Sequence, residues 1–313
     1  MSARSGFLAK HFCAIFALIF LIPKTCALAD DDAIFKEQKV GWQIDLKRIS
    51  INFSSTTLRN QDIYSIAADT RLQGDSQIVA QGYLNLNMDY YTPNFVIFNS
   101  LLAEYGRTII FPKNAPSVDN KTLDRILLSS DYTQRLWEFD SFLGFSSWYF
   151  ELGPYSKLAY QTEFVASSTL GRRQIVRANI GVKLFSGLVL KDFALTLFGE
   201  KDFNPNIQAQ SLGMELGMVY EKKFKNSGKL YYMLNARDYI FSTTSSAYDP
   251  KYSLEFELRY DLSLYKNLNI APFMKVYALQ GKYFDRSGSN VMLGMVFSFG
   301  KILREAPFEI VEK

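Results

Sequence analysis

Large apolar side chains recur at every second position along much of this chain, with polar or small residues between them. The clearest run is Tyr252, Leu254, Phe256, Leu258, Tyr260 and Leu262, interleaved with Ser253, Glu255, Glu257, Arg259, Asp261 and Ser263. Successive side chains of a strand point to opposite faces, so this segment carries one oily face and one charged face. Its eleven residues, 252–262, match the length of a tilted membrane strand. The rhythm returns at Leu212 to Tyr220, Val176 to Leu184 and Leu84 to Tyr90, and again at Val291 to Phe299. In that last run Gly294 and Ser298 lie on the slim face. Noisier segments are Phe95 to Tyr105, Leu123 to Gln134, Trp137 to Trp148, Tyr155 to Ala166, Phe193 to Gly199, Leu230 to Ile240 and Ile270 to Tyr283. Trp42 to Phe53 alternates but slips phase at Lys47-Arg48, which predicts a bulge.

These segments number thirteen, whereas single-chain bacterial barrels have even strand numbers. The surplus segment is placed between Leu123 and Tyr160, where the pattern is least regular. The expected fold is all-β, a transmembrane antiparallel up-and-down β-barrel of about 12 strands, roughly 10–14. Ser186-Gly187, Asn226-Ser227-Gly228 and Tyr265-Lys266-Asn267 read as tight turns. They alternate with longer polar links at Lys201 to Gln208, Ser242 to Pro250 and Asp285 to Asn290. Such alternation suits short periplasmic turns and external loops. Ser54 to Gln77 and Phe111 to Lys121 are expected to be outer loops or a plug.

The N-terminus changes the inventory. Arg4 and Lys10 precede an apolar core from Phe12 to Ile22, Pro23 breaks it, and Ala27-Leu28-Ala29 offers a small-x-small cleavage site. Residues 1–29 therefore read as a cleaved secretory signal, 30–39 as a periplasmic segment, 40–299 as the barrel and 300–313 as a polar tail. Eleven apolar residues are too few for a helical span, which needs about 20. The leader holds His11, the chain's single histidine, and both cysteines, Cys13 and Cys26. Losing Arg4, Lys10 and Lys24 takes the formal charge from +4 to about +1, so no nucleic-acid partner is expected. Mean hydropathy is near zero although 48% of residues are hydrophobic and 15% aromatic. Alternating faces average out in this way, and a membrane barrel places aromatic residues at its two interfaces. A soluble sandwich or lipocalin-like barrel also alternates, but its oily face turns inward.

Gly294, Phe297 and Phe299 follow a spacing that resembles the terminal recognition strand of bacterial outer-membrane barrels. The resemblance implies an outer-membrane location in a Gram-negative-type bacterium. It implies two partners as well, the lipid around the barrel and the assembly machinery that captures this strand. Met292 replaces the usual polar residue, and the tail beyond Phe299 departs from the pattern. Ile49 to Ser54, Tyr83 to Asn87 and Asn120 to Ile126 resemble an uncharacterised family of outer-membrane proteins. That likeness implies a fold and no activity.

Chemistry is harder to find. Barrel phospholipases, lipid A acyltransferases and deacylases, and Asp/His proteases use a catalytic histidine, and residues 30–313 contain none. No catalytic residue, cofactor or metal site is expected. Asp202-x-Asn204-x-Asn206 has the opening spacing of a calcium loop, but Ile207 and Gly213 stand where a glycine and a glutamate are required. It reads as a polar loop, and Asp30-Asp31-Asp32 as a solvated segment. The functional candidates are charges on the faces opposite the apolar ones: Arg125, Arg177, Lys183, Glu215, Arg237, Glu255, Glu257, Arg259 and Lys275. Six are basic and three acidic, so they either fill the barrel as an internal network or line a lumen for small polar or anionic solutes. Tyr231, Met233 and Tyr239 argue for constriction, and Gly213, Gly217, Gly294 and Ser298 for space. The functions left open are a narrow passive channel, a closed structural or surface-interaction barrel working through its loops, and a histidine-independent enzyme.

Overall fold

Alternation becomes architecture through pairing. The computed structural model describes residues 36–60, 78–110, 118–139, 150–166, 171–187, 189–204, 208–224, 228–243 and 249–311. Its strands are β1 (Lys36–Lys39), β2 (Gly41–Arg59), β3 (Ile78–Tyr91), β4 (Phe95–Ile110), β5 (Val118–Gln134), β6 (Trp137–Phe139), β7 (Phe150–Thr162) and β8 (Gln174–Phe185). They continue as β9 (Leu190–Asp202), β10 (Gln210–Lys223), β11 (Gly228–Ser242), β12 (Pro250–Tyr265), β13 (Leu268–Gly281), β14 (Gly288–Arg304) and β15 (Phe308–Val311). Neighbours in sequence pair antiparallel, β5 pairs with β7, and β14 returns to β2. The result is a closed antiparallel barrel of 12 strands, β2–β5 and β7–β14.

The surplus segment lies where the pattern is least regular. Of Trp137 to Trp148 only the three-residue β6 is described, and 140–149 lie outside the described residues. β6 takes up β5's place beside β7 after a break at Arg135-Leu136, with Trp137 opposite Leu152 and Phe139 opposite Phe150. Gly153 faces the break, and a Cβ there would fall 1.6 Å from the Gln134 carbonyl oxygen. Backbone approach this close admits only glycine. The bulge expected at Lys47 is present, since Leu46 pairs with Leu86 and Arg48 with Asn85.

Several expected boundaries move. Ser54–Arg59 and 118–121 belong to β2 and β5 rather than to loops, while 61–77 and 111–117 lie outside the described residues. β7 ends at Thr162 and β13 at Gly281. The barrel does not stop at Phe299: β14 runs to Arg304 and keeps pairing with β2. The tail then forms β15, which pairs with β1 in a separate two-stranded ribbon. The expected leader and Asp30-Asp31-Asp32 lie outside the described residues.

Gly41, Arg304 and the short links from β3 to β4, β8 to β9, β10 to β11 and β12 to β13 share one end, here the near end, with 188 and 225–227 outside the described residues. The far end carries the longer links, apart from residues 135–149 between β5 and β7, which belong to the near end. Ser186 and Lys266 adopt φ of +57° and +46°, the left-handed geometry that tight hairpin turns use.

Burial identifies the faces. Ile51 is 57% exposed and Ile180 66%, whereas Arg48 and Lys183 on the same strands are buried. A soluble barrel would show the opposite. Outward aromatic side chains gather toward both ends: Trp42 against Tyr90 and Phe95 against Tyr132 near, Phe203, Phe241 and Tyr252 far. Asp238 is an exception, set by register on the outer face between Met214 and Tyr252 yet only 7% exposed.

Candidate functional site

Inside the wall, the strand period that turns apolar residues outward brings the intervening charges together. The nine candidate charges all lie in this interior, and each makes an ion pair.

The central cluster joins opposite walls. Arg125 on β5 forks onto Glu255 of β12, with both guanidinium nitrogens 3.2 Å from the carboxylate oxygens. β5 and β12 are six strands apart in either direction round the barrel, so this contact spans the lumen. Arg125 Nε also donates to Glu104 on β4 at 2.7 Å. Lys275 on β13 closes the group at 2.9 Å from Glu104 and 3.3 Å from Glu255. Two cations and two carboxylates thus hold one another in the middle of the barrel, with Glu104 only 2% exposed. Charge-assisted, bidentate contacts of this kind are the strong class of polar contact.

A second group lies beside it. Glu257 Oε1 accepts from Arg48 at 3.0 Å and from Arg259 at 2.8 Å, and Arg259 continues to Asp261 at 2.7 Å. The guanidinium of Arg48 stacks 3.5 Å from the Tyr83 ring centre, and that of Arg259 4.6 Å from Tyr231. Further round, Arg237 donates to Glu215 at 2.7 Å and Arg177 to Glu200 at 2.6 Å. Lys183 reaches Asp192 at 2.9 Å and Asp131 at 3.2 Å, 4.4 Å from the Phe98 ring centre.

The partners change the reading of charge. Sequence reasoning found six basic and three acidic positions, but missed Arg48, Glu104, Asp131, Asp192, Glu200 and Asp261. With these included, the clusters hold seven cations and eight carboxylates. A signal was available in the register. Glu104 faces Arg125, Glu200 faces Arg177 and Glu215 faces Arg237 across neighbouring strands. Pairing the strands on paper would have exposed the acidic half of each pair.

Two of the small residues do not provide space. A Cβ on Gly213 would meet the Phe198 ring at 2.8 Å, and one on Gly294 the Phe273 ring at 2.9 Å. These rings lie over their glycines and fill the gap. Gly217 does keep room, its nearest neighbour being Asn235 Nδ2 at 4.0 Å. Tyr231 and Tyr239 narrow the interior as expected, with Tyr239 edge-on to Phe198 at 5.3 Å. Phe297 and Phe299 face outward on β14, 45% and 39% exposed.

The would-be calcium loop has another use. Asp202 accepts from the backbone N–H of Gln174 at 3.3 Å and of Asn204 at 2.9 Å. Asp124 similarly takes the N–H groups of Phe164 and Val165 at 2.6 and 3.0 Å. These carboxylates fasten far-end links. Among the described residues, no group of three or more acidic, His or Cys side chains could hold a metal.

No family model matches the chain, and no curated protein does. The likeness of Ile49 to Ser54, Tyr83 to Asn87 and Asn120 to Ile126 to an uncharacterised family thus has no family model behind it. Among solved structures, the chain is similar to outer membrane phospholipase A from Escherichia coli at 10% identity and a TM-score of 0.45, over 82% of this chain and 98% of that one. It is similar to an outer membrane channel from Pseudomonas putida at 13% identity and a TM-score of 0.43, over 87% and 100%. An anion-selective porin from Comamonas acidovorans matches at 12% identity and a TM-score of 0.33, over 84% and 100%. Each is a bacterial outer-membrane barrel. At these scores the matches carry no argument about activity, and the fold rests on the strand pairing.

Proposed function

We propose that this chain is an integral outer-membrane β-barrel whose lumen is a narrow passive channel, held shut at rest by ion pairs that cross it. The observation that carries this reading is the fork of Arg125 onto Glu255 from opposite walls, completed by Glu104 and Lys275. The outward apolar face with aromatic side chains toward both ends suits a bilayer, the near end lying in the periplasm. Lipid is then the barrel's surrounding partner. The strand with Gly294, Phe297 and Phe299 is the part that assembly machinery would take up, with β14 extending beyond the usual stop.

A lumen that needed only filling would gain little from charges. Replacing buried ion pairs by packed apolar groups is often neutral or stabilising. Ion pairs have one capacity that an apolar plug lacks: water can solvate each partner when they separate. The crossing cluster therefore serves as a gate, and small polar or anionic solutes are the class that passes it.

The test is planar-bilayer conductance of the refolded chain, with heat-modifiable gel migration as the folding control. The wild type should be closed for most of the record. Removing both carboxylates with Glu104→Ala and Glu255→Ala leaves Arg125 and Lys275 uncompensated, and should give steady, anion-selective steps. Arg125→Ala with Lys275→Ala should reverse the selectivity. Silence from all three folded proteins would sink the channel. It would favour the second reading, a closed barrel acting through its far-end loops, which the fastening of those links by Asp124 and Asp202 supports.

A further inference from the structure

The first and last described strands, β1 and β15, meet at the near mouth, and what they build there is separate from the wall. The seam between β2 and β14 stops at a corner made by two residues. Gly41 has φ of +93°, a left-handed conformation that side chains oppose, and Pro307 lies against it, its Cδ 3.9 Å from where a Cβ would project. Val40 N–H donates to the Pro307 carbonyl at 2.9 Å. Beyond this corner the pairing resumes as the ribbon, with Lys39 opposite Phe308 and Gln38 opposite Glu309.

The ribbon's contacts give its direction. Gln38, 4% exposed, donates from Nε2 to Glu138 Oε1 at 3.3 Å. Glu138 is on β6, three strands round the wall from β2. Lys39 Nζ donates to Gln43, a lumen-facing residue, at 2.9 Å and lies 5.9 Å from the Tyr91 ring centre. Ala306 at the corner is 1% exposed. A ribbon hanging into the periplasm would make none of these contacts.

We propose that the β1–β15 ribbon is a hinged cover over the near mouth, latched by Gln38 on Glu138 and turning about Gly41 and Pro307. It is a second barrier, in series with the crossing ion pairs, and holds whether or not the lumen conducts. The corner lets the ribbon move without unzipping β2 from β14, and the latch joins a neutral amide to a carboxylate over a long 3.3 Å, weak enough to release.

The test uses the full chain with Cys13 and Cys26 replaced by serine, so that introduced thiols are the only ones. Glu309→Cys, opposite Gln38 in the ribbon, with Leu136→Cys leaves both latch residues in place; treated with a short bismaleimide after folding, it should cross-link at least about tenfold faster than Glu309→Cys with Lys266→Cys. Lys266 lies in the turn between β12 and β13, on the opposite wall from β6. Equal rates would mean that the ribbon has no fixed direction, and would overturn the proposal. The second measurement is labelling of Asp89→Cys, a buried lumen position near this mouth, by a membrane-impermeant maleimide. Gln38→Ala should speed it about fivefold, the population shift that one lost hydrogen bond gives. An unchanged rate in folded protein would show that the ribbon covers nothing.

Discussion

The near half of the lumen is built in two ways, and the contrast between its sides says where a passage could run. On the β3–β8 side, rings do the filling. Phe98 meets Phe185 and Tyr91 edge-on, each at 6.1 Å, and Lys183 is enclosed between Phe98 and Tyr155. Phe185 is 1% exposed. On the β10–β12 side, the corresponding positions are Glu221, Lys229 and Asp261. The side chains of Glu221 and Lys229 keep 27% and 33% of their surface, 3.8 Å apart. Packed rings open only by moving several neighbours together, because interiors are close-packed. Loosely paired charges need only exchange a partner for water. An opened lumen would therefore run along β10–β12, from the crossing cluster past Arg259 and Lys229.

The largest expected effect comes from the residue that ties the two sides together. Glu104→Ala removes the carboxylate shared by Arg125 and Lys275 and leaves two buried cations underneutralised. Breaking a buried pair from one side costs about 3–5 kcal/mol. Urea unfolding in detergent should show that loss, and Glu104→Gln should recover only part of it, since the amide fills the space without the charge. The packed side should answer with stability alone. Phe185→Ala is expected to cost about 3 kcal/mol through the cavity it leaves. It should add no steady conductance, and a large new conductance in this variant would place the route among the rings instead.

The sequence made the wall legible and left the interior half-read, for a physical reason. Alternation is a local property, so Tyr252 to Leu262 shows its two faces with no knowledge of its neighbours. The same rhythm brought in Trp137 to Trp148, of which only β6 is described. Lumen pairing is non-local. Glu104 was passed over because Leu101-Leu102-Ala103 blurs the period just before it, and Arg48 because the bulge at Lys47 shifts the phase. The balance of charge depended on those two residues and their acidic companions, so the excess of positive positions expected from sequence does not describe the lumen. The ribbon had no local signal either: Lys36–Lys39 and Phe308–Val311 are only four residues each, one polar and the other mostly apolar, and their pairing appears only once the barrel brings β1 and β15 together.

The smallest stability effect offers the sharpest distinction between the two sides. Lys229 is about a third exposed, and its pairs with Glu221 and Asp261 are long, at 3.8 and 3.6 Å. Loose, solvated pairs contribute about 0–1 kcal/mol, so Lys229→Glu should leave unfolding almost unchanged. If solutes pass along β10–β12, however, this substitution puts an anion on their path. Selectivity in a Glu104→Ala background should then shift from anions toward cations. Lys183→Glu is the matched control from the packed side. It would set a third carboxylate against Asp131 and Asp192 at a position itself only 4% exposed, and should unfold the barrel far more readily. Where that protein does fold, its selectivity should stay where Glu104→Ala left it. Stability and selectivity would thus respond in opposite order on the two sides, which no uniform lumen could produce.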